Sequence, residues 1–365
     1  MKVCHVTSAH PNRDIRIFYK ECASLAGNGY DVYLVAQGES FTENGVTVTG
    51  ITPPRSRLQR FLRTSRAAYK TALAIDAEIY HLHDPELLPY GKKLKKKGKT
   101  VIFDSHEDIL GQVANKRWIP RSLRRPVEFF AGRYFKRVCR RMDAVITVTP
   151  HLQRKFEEIA KRTVMITNYP ILSDRPETEK FPQLTLGFAG GVTEQWNHLA
   201  VLEALKQLPE ARYLLMGRPD AQYLERLKAH PSWEQADYRG IVSHEEALTA
   251  LARSHIGVAL CAYSGNTDGK NGSVGNTKLF EIMMLGLPAI ATGYVLWREI
   301  IEKYRCGICV EPDDSAQIVQ AITYISAHPE QAAEMGRNGQ KAVREIYNWS
   351  TQEKVLLELY QTLKV

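Results

Sequence analysis

The segment 272–292 holds the densest group of residues that could do chemistry. It reads Gly-Ser-Val-Gly-Asn-Thr-Lys-Leu-Phe-Glu-Ile-Met-Met-Leu-Gly-Leu-Pro-Ala-Ile-Ala-Thr. A glycine-rich loop precedes a predicted helix, on which Lys278 and Glu281 stand three residues apart and share one face. Helix amides and the Lys278 ammonium suit a diphosphate, and the Glu281 carboxylate suits a ribose diol. A helix cap with an ordinary Lys–Glu ion pair is the alternative interpretation.

Two histidine motifs each follow a predicted strand. They read His-Leu-His-Asp-Pro-Glu from His81 and Phe-Asp-Ser-His-Glu-Asp from Phe103. Open parallel sheets bind ligands at the carboxyl ends of their strands, so we expect His83, Asp84 and His106 near a ligand. Hydrogen bonding to a polar substrate such as a sugar is one interpretation. For the aspartates, capping and supporting hydrogen bonds are the alternative.

A metal site is a further interpretation of the same motifs, because His83, Asp84, His106 and Glu107 are residue types that bind metal ions. Their spacing matches no common metal site, however, and the chain contains no D-x-D triplet. We therefore expect a reaction that needs neither a metal ion nor another cofactor.

The loop after the first predicted strand disfavours two common nucleotide-binding classes. It reads Ser-Ala-His-Pro-Asn-Arg-Asp-Ile-Arg-Ile from Ser8 and lacks the G-x-G-x-x-G of dinucleotide-binding folds. The chain also lacks the G-x-x-x-x-G-K-[ST] of P-loop NTPases. Asp14 and Arg16 in this loop are either ligand contacts or an ordinary ion pair at a helix start.

The elements that must position these residues alternate along the chain. Val- and Ile-rich runs alternate with amphipathic segments, which is typical of βα units around a parallel sheet. The strands predicted in the first half are 2–7, 30–36, 79–82, 100–103, 144–148 and 164–166. Those predicted in the second half are 184–188, 213–216, 236–238, 256–260, 288–291 and 307–310. The predicted helices include 17–27, 58–74, 127–141 and 350–363, the last with Ser350 as its N-cap.

The linker between two predicted domains is the stretch 169–183, which holds three prolines and no periodic apolar pattern. We expect one Rossmann-like domain at 1–170 and a second at 184–345. A helix within 346–365 is expected to pack back toward the first domain. The fold class is α/β, with two parallel sheets whose ligand-binding edges face a central cleft.

Charge is divided unevenly along the chain. The net charge is +9, with +13 on residues 1–180 and −4 on residues 181–365. Basic residues cluster at 92–99, 121–125 and 133–141. Such clusters attract anionic membrane surfaces, although solvated helix faces are the alternative. No apolar run approaches about 18 residues, so we expect a cytoplasmic protein. A peripheral position at the inner face of the plasma membrane is the alternative.

Segment 272–292 resembles the nucleotide-sugar-binding region of family 4 retaining glycosyltransferases, which have the GT-B fold. The similar branch motif is approximately P-N-K-[LI]-F-E-Y-M-A-A-G-[LK]-P-V-I. The two histidine motifs look like the family's amino-terminal motifs. Gly-Ile-Cys-Val-Glu-Pro from Gly307 and Tyr-Asn-Trp-Ser from Tyr347 look like its carboxyl-terminal motifs. The resemblance covers nearly the whole chain, and the order and spacing of its motifs are specific together.

The resemblance implies roles for individual residues. Glu281 would bind the donor ribose, Lys278 would hold the diphosphate, and His106 would contact the donor sugar near the reaction centre; these three are the expected catalytic residues. The expected donor-binding residues, drawn from the strand-end loops and the helix start, are Gly190, Gly191, Arg218, Arg239, Ile241, Ser273, Gly275, Asn276, Thr277, Lys278 and Glu281. The expected acceptor-side residues are Asp14, Arg16, His83 and Asp84.

The chain departs from the family pattern at two places. Ser273 stands where the family commonly has the first glutamate of an E-x7-E pair, and neither arginine nor lysine occurs from Gly190 to His198. Losing two cations aimed at a diphosphate weakens donor binding or leaving-group stabilisation by roughly a few kcal/mol. Lys278 or Arg218 is expected to compensate.

The sequence thus predicts a retaining hexosyltransferase that acts by same-face attack without an enzyme nucleophile. The expected donor is a UDP-sugar, with a GDP-sugar as the second choice. The expected acceptor is a saccharide or lipid-linked saccharide in cell-surface polysaccharide or glycoconjugate synthesis, and no nucleic-acid partner is expected. The alternatives are a nucleotide-sugar epimerase of the same architecture and a non-enzymatic basic module that binds lipid or nucleic-acid surfaces.

Overall fold

The computed structural model describes residues 1–106, 121–173, 178–264 and 267–363, without the side chains of 121–125, 127 and 128. The chain forms two units: unit 1 comprises Met1–Asn168 and Trp349–Val365, and unit 2 comprises Tyr169–Asn348. Glu107 and the side chains of the basic cluster 121–125 lie outside the described residues.

Unit 1 contains an eight-stranded sheet in the order β3-β4-β2-β1-β5-β6-β7-β8. Its strands are β1 Lys2–Pro11, β2 Asp31–Gln37, β3 Phe41–Glu43, β4 Val46–Ile51, β5 Ile79–Leu82, β6 Thr100–Ser105, β7 Ala144–Thr147 and β8 Thr163–Met165. All neighbouring strands pair in parallel except β3 and β4, which are antiparallel. The βα pattern predicted for the first half is therefore confirmed.

The hairpin of β3 and β4 is absent from the prediction. Its two-residue turn is Asn44-Gly45, and both residues have positive φ angles, of 52° and 74°. Such turns match the twist of the flanking strands and favour this dipeptide. Val46 and Val48 of β4 are buried, which fixes the register of the hairpin beside β2.

The helices of unit 1 lie on both faces of the sheet. They are α1 Ala23–Gly27, α2 Arg57–Gln59, α3 Ser65–Ile75, α4 Leu88–Lys96, α5 Arg121–Cys139 and α6 Pro150–Glu157, with a 3₁₀ turn at Pro85–Leu87. Successive strand residues feed two separate cores: Tyr80 and Phe103 belong to one, and Ile79 and Ile102 belong to the other. This alternation is the normal consequence of a strand covered on both faces.

Two helical segments of unit 1 have π geometry, at Ile15–Cys22 and Arg60–Thr64. The first segment begins after Asp14, whose side chain accepts hydrogen bonds from the Arg16 and Ile17 amides. In a π-helix the hydrogen bonds join residues five apart, so such residues stack on one face. Arg16 and Glu21 are five apart, and both are buried.

The C-terminal helix α14 (Trp349–Thr362) completes the core of unit 1. The buried Trp349 donates from Nε1 to the Ser24 hydroxyl at 2.8 Å, and Leu356 and Tyr360 pack in the same core as β1 and β2. The prediction that Ser350 is the N-cap is wrong, because the helix begins one residue earlier. The buried Trp349 draws the first turn of the helix into the core.

Unit 2 contains a six-stranded parallel sheet in the order β11-β10-β9-β12-β13-β14. Its strands are β9 Thr185–Ala189, β10 Arg212–Met216, β11 Ala236–Tyr238, β12 Ile256–Ala259, β13 Ala289–Thr292 and β14 Gly307–Val310. Every strand predicted for the second half is present. Starting from β9, the chain adds β10 and β11 on one side of the sheet, then returns to place β12, β13 and β14 on the other side of β9.

The helices of unit 2 surround this sheet. They are α7 His198–Leu205, α8 Ala221–Lys228, α9 His244–Ala252, α10 Lys278–Met284, α11 Val295–Tyr304, α12 Ser315–Ala327 and α13 Pro329–Glu345, with 3₁₀ turns at Glu194–Trp196 and Pro231–Gln235. The largest buried side chains of the unit include Trp297, Tyr213 and Phe280. The predicted helix after the glycine-rich loop is thus confirmed as α10.

Replacing Trp349 with alanine is expected to lower the free energy of unfolding by about 3–5 kcal/mol, because it leaves a cavity and removes the donor to Ser24. Urea denaturation followed by circular dichroism measures this loss. Lys354→Ala, at an exposed position of the same helix, should change stability by less than about 0.5 kcal/mol. Equal effects of the two substitutions would show that α14 does not contribute to the core.

Candidate functional site

Three loops converge at the carboxyl ends of β9, β10 and β11. The Gly190 amide donates to the Met216 carbonyl at 2.8 Å, and the Gly217 amide donates to the Gly240 carbonyl at 2.7 Å. Gly217 has a φ of +138°, and a Cβ there would lie 1.6 Å from the Gly190 carbonyl oxygen. Only glycine permits this crossing, which brings the backbone after all three strands to one place.

The start of α10 holds an ionic group at the same edge of the sheet. The Lys278 ammonium lies 2.9 Å from Glu281 Oε2, and His244 Nε2 lies 3.4 Å from Glu281 Oε1. Burial alone would raise the pKa of Glu281, but the Lys278 charge and hydrogen bonds from His244 and Lys278 outweigh it and hold that pKa well below its ordinary value. Glu281 is therefore a carboxylate with a fixed orientation.

Gly190 lies directly against Lys278. A Cβ at Gly190 would be 3.1 Å from Lys278 Cε and 2.7 Å from the Phe188 ring. The Lys278 side chain therefore runs along the Gly190 backbone toward Glu281. The structure brings Gly190, Lys278 and Glu281 together, as the sequence predicted.

The loop before α10 is held by its own side chains. The Ser273 hydroxyl accepts the Gly275 amide at 3.1 Å, and the Asn276 side chain accepts the Lys278 amide at 3.1 Å. Trp297 Nε1 donates to the Ser273 carbonyl at 3.0 Å. Thr277 occupies the N-cap position without a side-chain cap. Ser273 and Asn276 thus shape the loop rather than project free hydrogen-bonding groups.

The remaining donor-side candidates differ in availability. Arg239 is paired with Asp237 at 2.6 Å, and Ile241 is 66% exposed. Arg218 follows the crossing at Gly217, is exposed, and has no ion pair with any residue that the structure describes. Of these three side chains, Arg218 is the cation that remains available for a phosphate.

His198 supports the loop that carries Gly191. Its Nε2 lies 3.3 Å from the Gly191 carbonyl, and its Nδ1 lies 2.8 Å from the Tyr213 hydroxyl. Because a carbonyl only accepts, Nε2 carries the proton and Nδ1 accepts from Tyr213. Burial lowers the pKa of His198 to about 4, although the Gly191 hydrogen bond opposes this shift.

In unit 1, the carboxyl ends of β1, β5 and β6 surround a buried arginine. Arg16 lies 2.9 Å from Asp104 Oδ2 and 3.0 Å from Glu21 Oε1. Burial alone would raise the pKa of Asp104, but Arg16 and the neighbouring histidines hold it well below its ordinary value. Of the two interpretations left open for Asp14 and Arg16, the ion pair between them at a helix start is not formed. Asp14 caps the backbone, and Arg16 turns inward to Asp104.

Four histidines lie around this arginine. They are His5 from β1, His81 from β5, His83 just after β5, and His106 just after β6. His5 Nδ1 is 3.0 Å from His83 Nε2, and His83 Nδ1 is 3.4 Å from His106 Nε2. The structure thus brings the two histidine motifs together at one edge of the sheet.

The exposure of these residues separates their roles. His106 keeps 19% of its side chain exposed, whereas His83 is enclosed. Burial, together with Arg16 and two histidines, lowers the pKa of His106 to about 3 despite the nearby Asp104. Its imidazole is therefore neutral near pH 7 and can exchange hydrogen bonds with a ligand. His83 has no surface for an acceptor in this arrangement.

Asp84 stabilises the carboxyl-terminal half of β1. Its Oδ2 accepts from the Thr7 hydroxyl at 2.9 Å and from the Ala9 amide at 3.2 Å, and Oδ1 lies 3.6 Å from His10. His10 also lies 3.4 Å from Asp14. These contacts fit the alternative interpretation of Asp84, in which its carboxylate makes supporting hydrogen bonds within the protein. The half-buried His10 and Asp14 are more accessible to a ligand than Asp84.

Sequence reasoning missed several residues of these sites, including His10, whose ring lies beside His106. His244 contacts Glu281, and its only signal was a histidine just after the third strand of the second series. His5 and Glu21 lie beside His81 and His83 of the first histidine motif. Glu21 could not be found by helical periodicity, because the π geometry changes which residues share a face.

Family comparisons identify both units. Residues 16–168 match the family model described as Glycosyltransferase Family 4, and residues 198–358 match the model described as Glycosyl transferase-like. A search of curated proteins found no match.

Solved structures agree over nearly the whole chain. Sucrose-phosphate synthase from Thermosynechococcus elongatus has a TM-score of 0.77 at 18% identity, covering 99% of this chain and 98% of the other. Anabaena HepE in complex with UDP-glucose has a TM-score of 0.71 at 14% identity, covering 99% of this chain and 100% of the other. A glycosyltransferase from Rickettsia africae has a TM-score of 0.72 at 14% identity, covering 100% of this chain and 98% of the other.

Two parallel-sheet domains of this kind define the GT-B fold, and this chain has it. The chain belongs to the family 4 glycosyltransferases.

The titration of His198 should appear in the pH dependence of stability. The unfolded chain binds a proton near pH 6.5 and the folded chain only near pH 4, so this contribution is complete above pH 6.5 and is lost as the pH falls toward 4. Between pH 7 and 5, wild type should lose about 2 kcal/mol more than His198→Gln in urea denaturation. The exposed His328→Gln should behave like wild type. Parallel curves for wild type and His198→Gln would contradict the shift.

Proposed function

We propose that the chain is a retaining glycosyltransferase that moves a hexose from a nucleotide sugar, a UDP-sugar first, to a saccharide or lipid-linked saccharide. The observation that carries this proposal is the group of Lys278, Glu281 and His244 beside Gly190. A charged, oriented carboxylate beside a lysine, at a point where loops from three strands meet, matches the chemistry of a ribose and its phosphates.

Each part of the donor has a partner of suitable chemistry in unit 2. Glu281 Oε1 and Oε2 are hydrogen-bond acceptors in fixed positions, which suits the two hydroxyls of a ribose. Lys278 sits between Glu281 and the Gly190 backbone, so its ammonium is close to both groups. A diphosphate entering beside Gly190 would exchange part of the Lys278–Glu281 attraction for contact with Lys278.

We propose that the departing diphosphate is stabilised without a metal ion. Charge that develops on a leaving phosphate needs pre-positioned cations or amides. Lys278 and Arg218, which has no ion pair among the described residues, supply the cations, and the amides of Asn276 and Thr277 supply hydrogen bonds; the Gly275 amide would first have to leave the Ser273 hydroxyl. They replace the arginine and lysine that are missing after Gly191. Retention by same-face attack follows from the family resemblance, which supplies no enzyme nucleophile.

The neighbouring structures support a UDP-linked donor. HepE is described in complex with UDP, with UDP and glucose, and with UDP-glucose, and trehalose-6-phosphate from E. coli is described as bound with UDP-2-fluoro glucose. We extend this preference to the present chain and retain a GDP-sugar as the second choice.

We propose that unit 1 receives the acceptor at the edge where His106, His10 and Asp14 lie. The neutral His106 imidazole is partly exposed there, and His10 and Asp14 are half-buried beside it. Hydroxyl groups of a saccharide match these donors and acceptors. A role for His106 at the donor sugar remains the expectation drawn from the family, and both roles call for a neutral imidazole.

In a screen of UDP, GDP, ADP and dTDP with their common sugars, the nucleotides of one family should raise the melting temperature of wild type. Lys278→Ala and Glu281→Ala should lose most of this ligand-induced shift, because binding weakens by about tenfold or more when a charged partner is removed. Differential scanning fluorimetry at several ligand concentrations measures the shift.

The matched controls are Lys228→Ala and Glu225→Ala on α8. These residues form an exposed Lys–Glu pair with the same three-residue spacing, at 2.9 Å. Both should keep the wild-type shift. If no nucleotide stabilises wild type, the donor site is refuted. If a nucleotide sugar is instead converted and released without an acceptor, the protein is an epimerase.

We further propose that unit 1 contacts an anionic membrane surface. No helix in the described residues is long and apolar enough to cross a membrane. Leu58, Phe61 and Leu62 are 45–69% exposed, and Phe129 and Phe130 are 64% and 68% exposed. Exposed arginines lie on both sides of the first group, and the exposed Arg133 and Lys136 follow the second, which is the composition of interfacial segments.

The basic cluster 92–99 contributes less than its charge suggests. Lys95 is paired with Asp143 at 2.7 Å, and Lys99 is paired with Asp76 at 2.7 Å. These lysines stabilise the helix end and the start of β6 rather than face a lipid. The membrane proposal therefore depends on the exposed segments around Phe61 and Phe129.

In sedimentation with vesicles, wild type should bind phosphatidylglycerol more tightly than phosphatidylcholine, and salt near 1 M should weaken binding. Replacing both Phe129 and Phe130 with serine should reduce binding about tenfold or more, because two exposed rings lose their lipid contact. Tyr324→Ser, at an aromatic residue of unit 2 that is 43% exposed, is the control. Absence of wild-type binding to either vesicle would refute the proposal.

A further inference from the structure

Four side chains of unit 1 converge on one enclosed point. His5, Glu21, His81 and His83 each direct one ligand atom toward the others, and these four atoms all lie within 4.8 Å of one another. Three come from β1, β5 and the residues just after β5, and Glu21 comes from the π segment Ile15–Cys22. Their side chains have no solvent exposure.

The distances among the four ligand atoms are of two kinds. Glu21 Oε2 lies 3.9 Å from His5 Nδ1, from His81 Nε2 and from His83 Nε2, and each of these separations is too long for a hydrogen bond. His5 Nδ1 and His83 Nε2 lie 3.0 Å apart and form a direct hydrogen bond. Tetrahedral ligands about 2.0–2.1 Å from a zinc ion stand roughly 3.3 Å apart, between these two observed distances.

Two of the four ligand atoms lack hydrogen-bond partners in the described structure. They are Glu21 Oε2 and His81 Nε2, and both are buried. Buried polar atoms are almost always paired, because an unpaired one has lost its hydrogen bonds to water without replacing them. Both atoms point to the same place, which indicates a group that would satisfy them together.

The opposite ring nitrogens already have partners of the type that orient metal ligands. Tyr360 Oη lies 2.9 Å from His81 Nδ1 and 3.3 Å from His5 Nε2, and Asp104 Oδ2 lies 3.7 Å from His83 Nδ1. Metal-bound histidines usually donate their second N–H to such groups. The inward nitrogens of His5 and His83 share a hydrogen bond, so on metal binding the proton between them would move to an outer nitrogen and both would act as lone-pair donors.

The charges around this point also favour a cation. Arg16 carries one positive charge, and Asp104 and Glu21 carry two negative charges when both are ionised. A proton on Glu21 is the competing way to remove the surplus negative charge.

We propose that His5, Glu21, His81 and His83 bind one Zn²⁺ ion that stabilises unit 1. Three imidazoles and one carboxylate are ligands of the type that zinc prefers, and a complete set of four protein ligands is typical of structural sites. The ion would neutralise Glu21 and join β1, β5 and the π segment. The ion would be enclosed within unit 1, so its site is distinct from the donor site proposed in unit 2, where the reaction is proposed to need no metal.

The second group of metal-binding types at this edge is a weaker candidate. It comprises His83, Asp104 and His106. Asp104 Oδ2 is already paired with Arg16 at 2.9 Å, and His106 is partly exposed. Among the residues that the structure describes, this group offers three protein ligands, so the enclosed four-ligand set is favoured.

The primary test is the metal content of untagged protein purified without chelators from zinc-supplemented cells. Inductively coupled plasma mass spectrometry should find about one zinc per chain. Removal with a pyridine dicarboxylate chelator should lower the melting temperature, and Zn²⁺ alone should restore it. Folded wild type that carries no metal and binds no added Zn²⁺ would overturn the proposal.

Cobalt substitution tests the coordination without any variant. Co²⁺ alone, added to the metal-free protein, should give the intense visible absorption of a tetrahedral site, and Zn²⁺ should displace it. X-ray absorption at the zinc edge should show four nitrogen or oxygen ligands at about 2.0–2.1 Å. A six-coordinate spectrum, or sulfur ligands, would contradict the assigned ligands.

Variants locate the ion. Glu21→Gln and His81→Gln should reduce bound zinc by about tenfold or more, with circular dichroism reporting whether each variant folds. His198→Gln removes an equally buried histidine of unit 2 and should keep one zinc per chain. Folded variants that retain wild-type zinc would show that the ion lies elsewhere.

Discussion

The buried charge of Arg16 is the interaction on which the ligand edge of unit 1 depends. The residue is 5% exposed, and a guanidinium in such a place requires charged partners and hydrogen bonds. Asp104 and Glu21 supply the charges, and the Ile166 carbonyl accepts from Nη1 at 3.0 Å. One cation therefore joins the π segment, the end of β6 and the residue after β8. The histidines can crowd together there because this framework fixes their backbones.

Unit 2 uses backbone geometry for the same purpose. Gly190, Gly217 and Gly240 let three strand-end loops approach within hydrogen-bond distance, and the Lys278 side chain lies across the first of them. A side chain at Gly217 would separate the loops. The two units thus prepare polar edges by different means: unit 1 by compensating buried charge, and unit 2 by omitting Cβ atoms so that amides and a lysine can meet.

The sequence predicted the parallel strands and the shared helix face of Lys278 and Glu281, because both follow from short-range periodicity. It did not predict the β3–β4 hairpin, although Asn44-Gly45 is a recognisable turn signal. His244 and Glu21 were also missed. Their roles depend on long-range packing and on a π-helical register, and neither is encoded by local spacing. The direction taken by Arg16 was open between two interpretations, because only the fold brings Asp104 within its reach.

The path of the chain has a consequence for biosynthesis. Unit 2 is one continuous segment, but unit 1 needs α14, which follows unit 2 in the chain, to supply Trp349, Leu356 and Tyr360 to its core. During translation, the first 168 residues must therefore wait while some 180 residues of unit 2 emerge and fold. Unit 1 closes its core only once α14 has emerged from the ribosome, so its exposed apolar face is a natural client for chaperones until then.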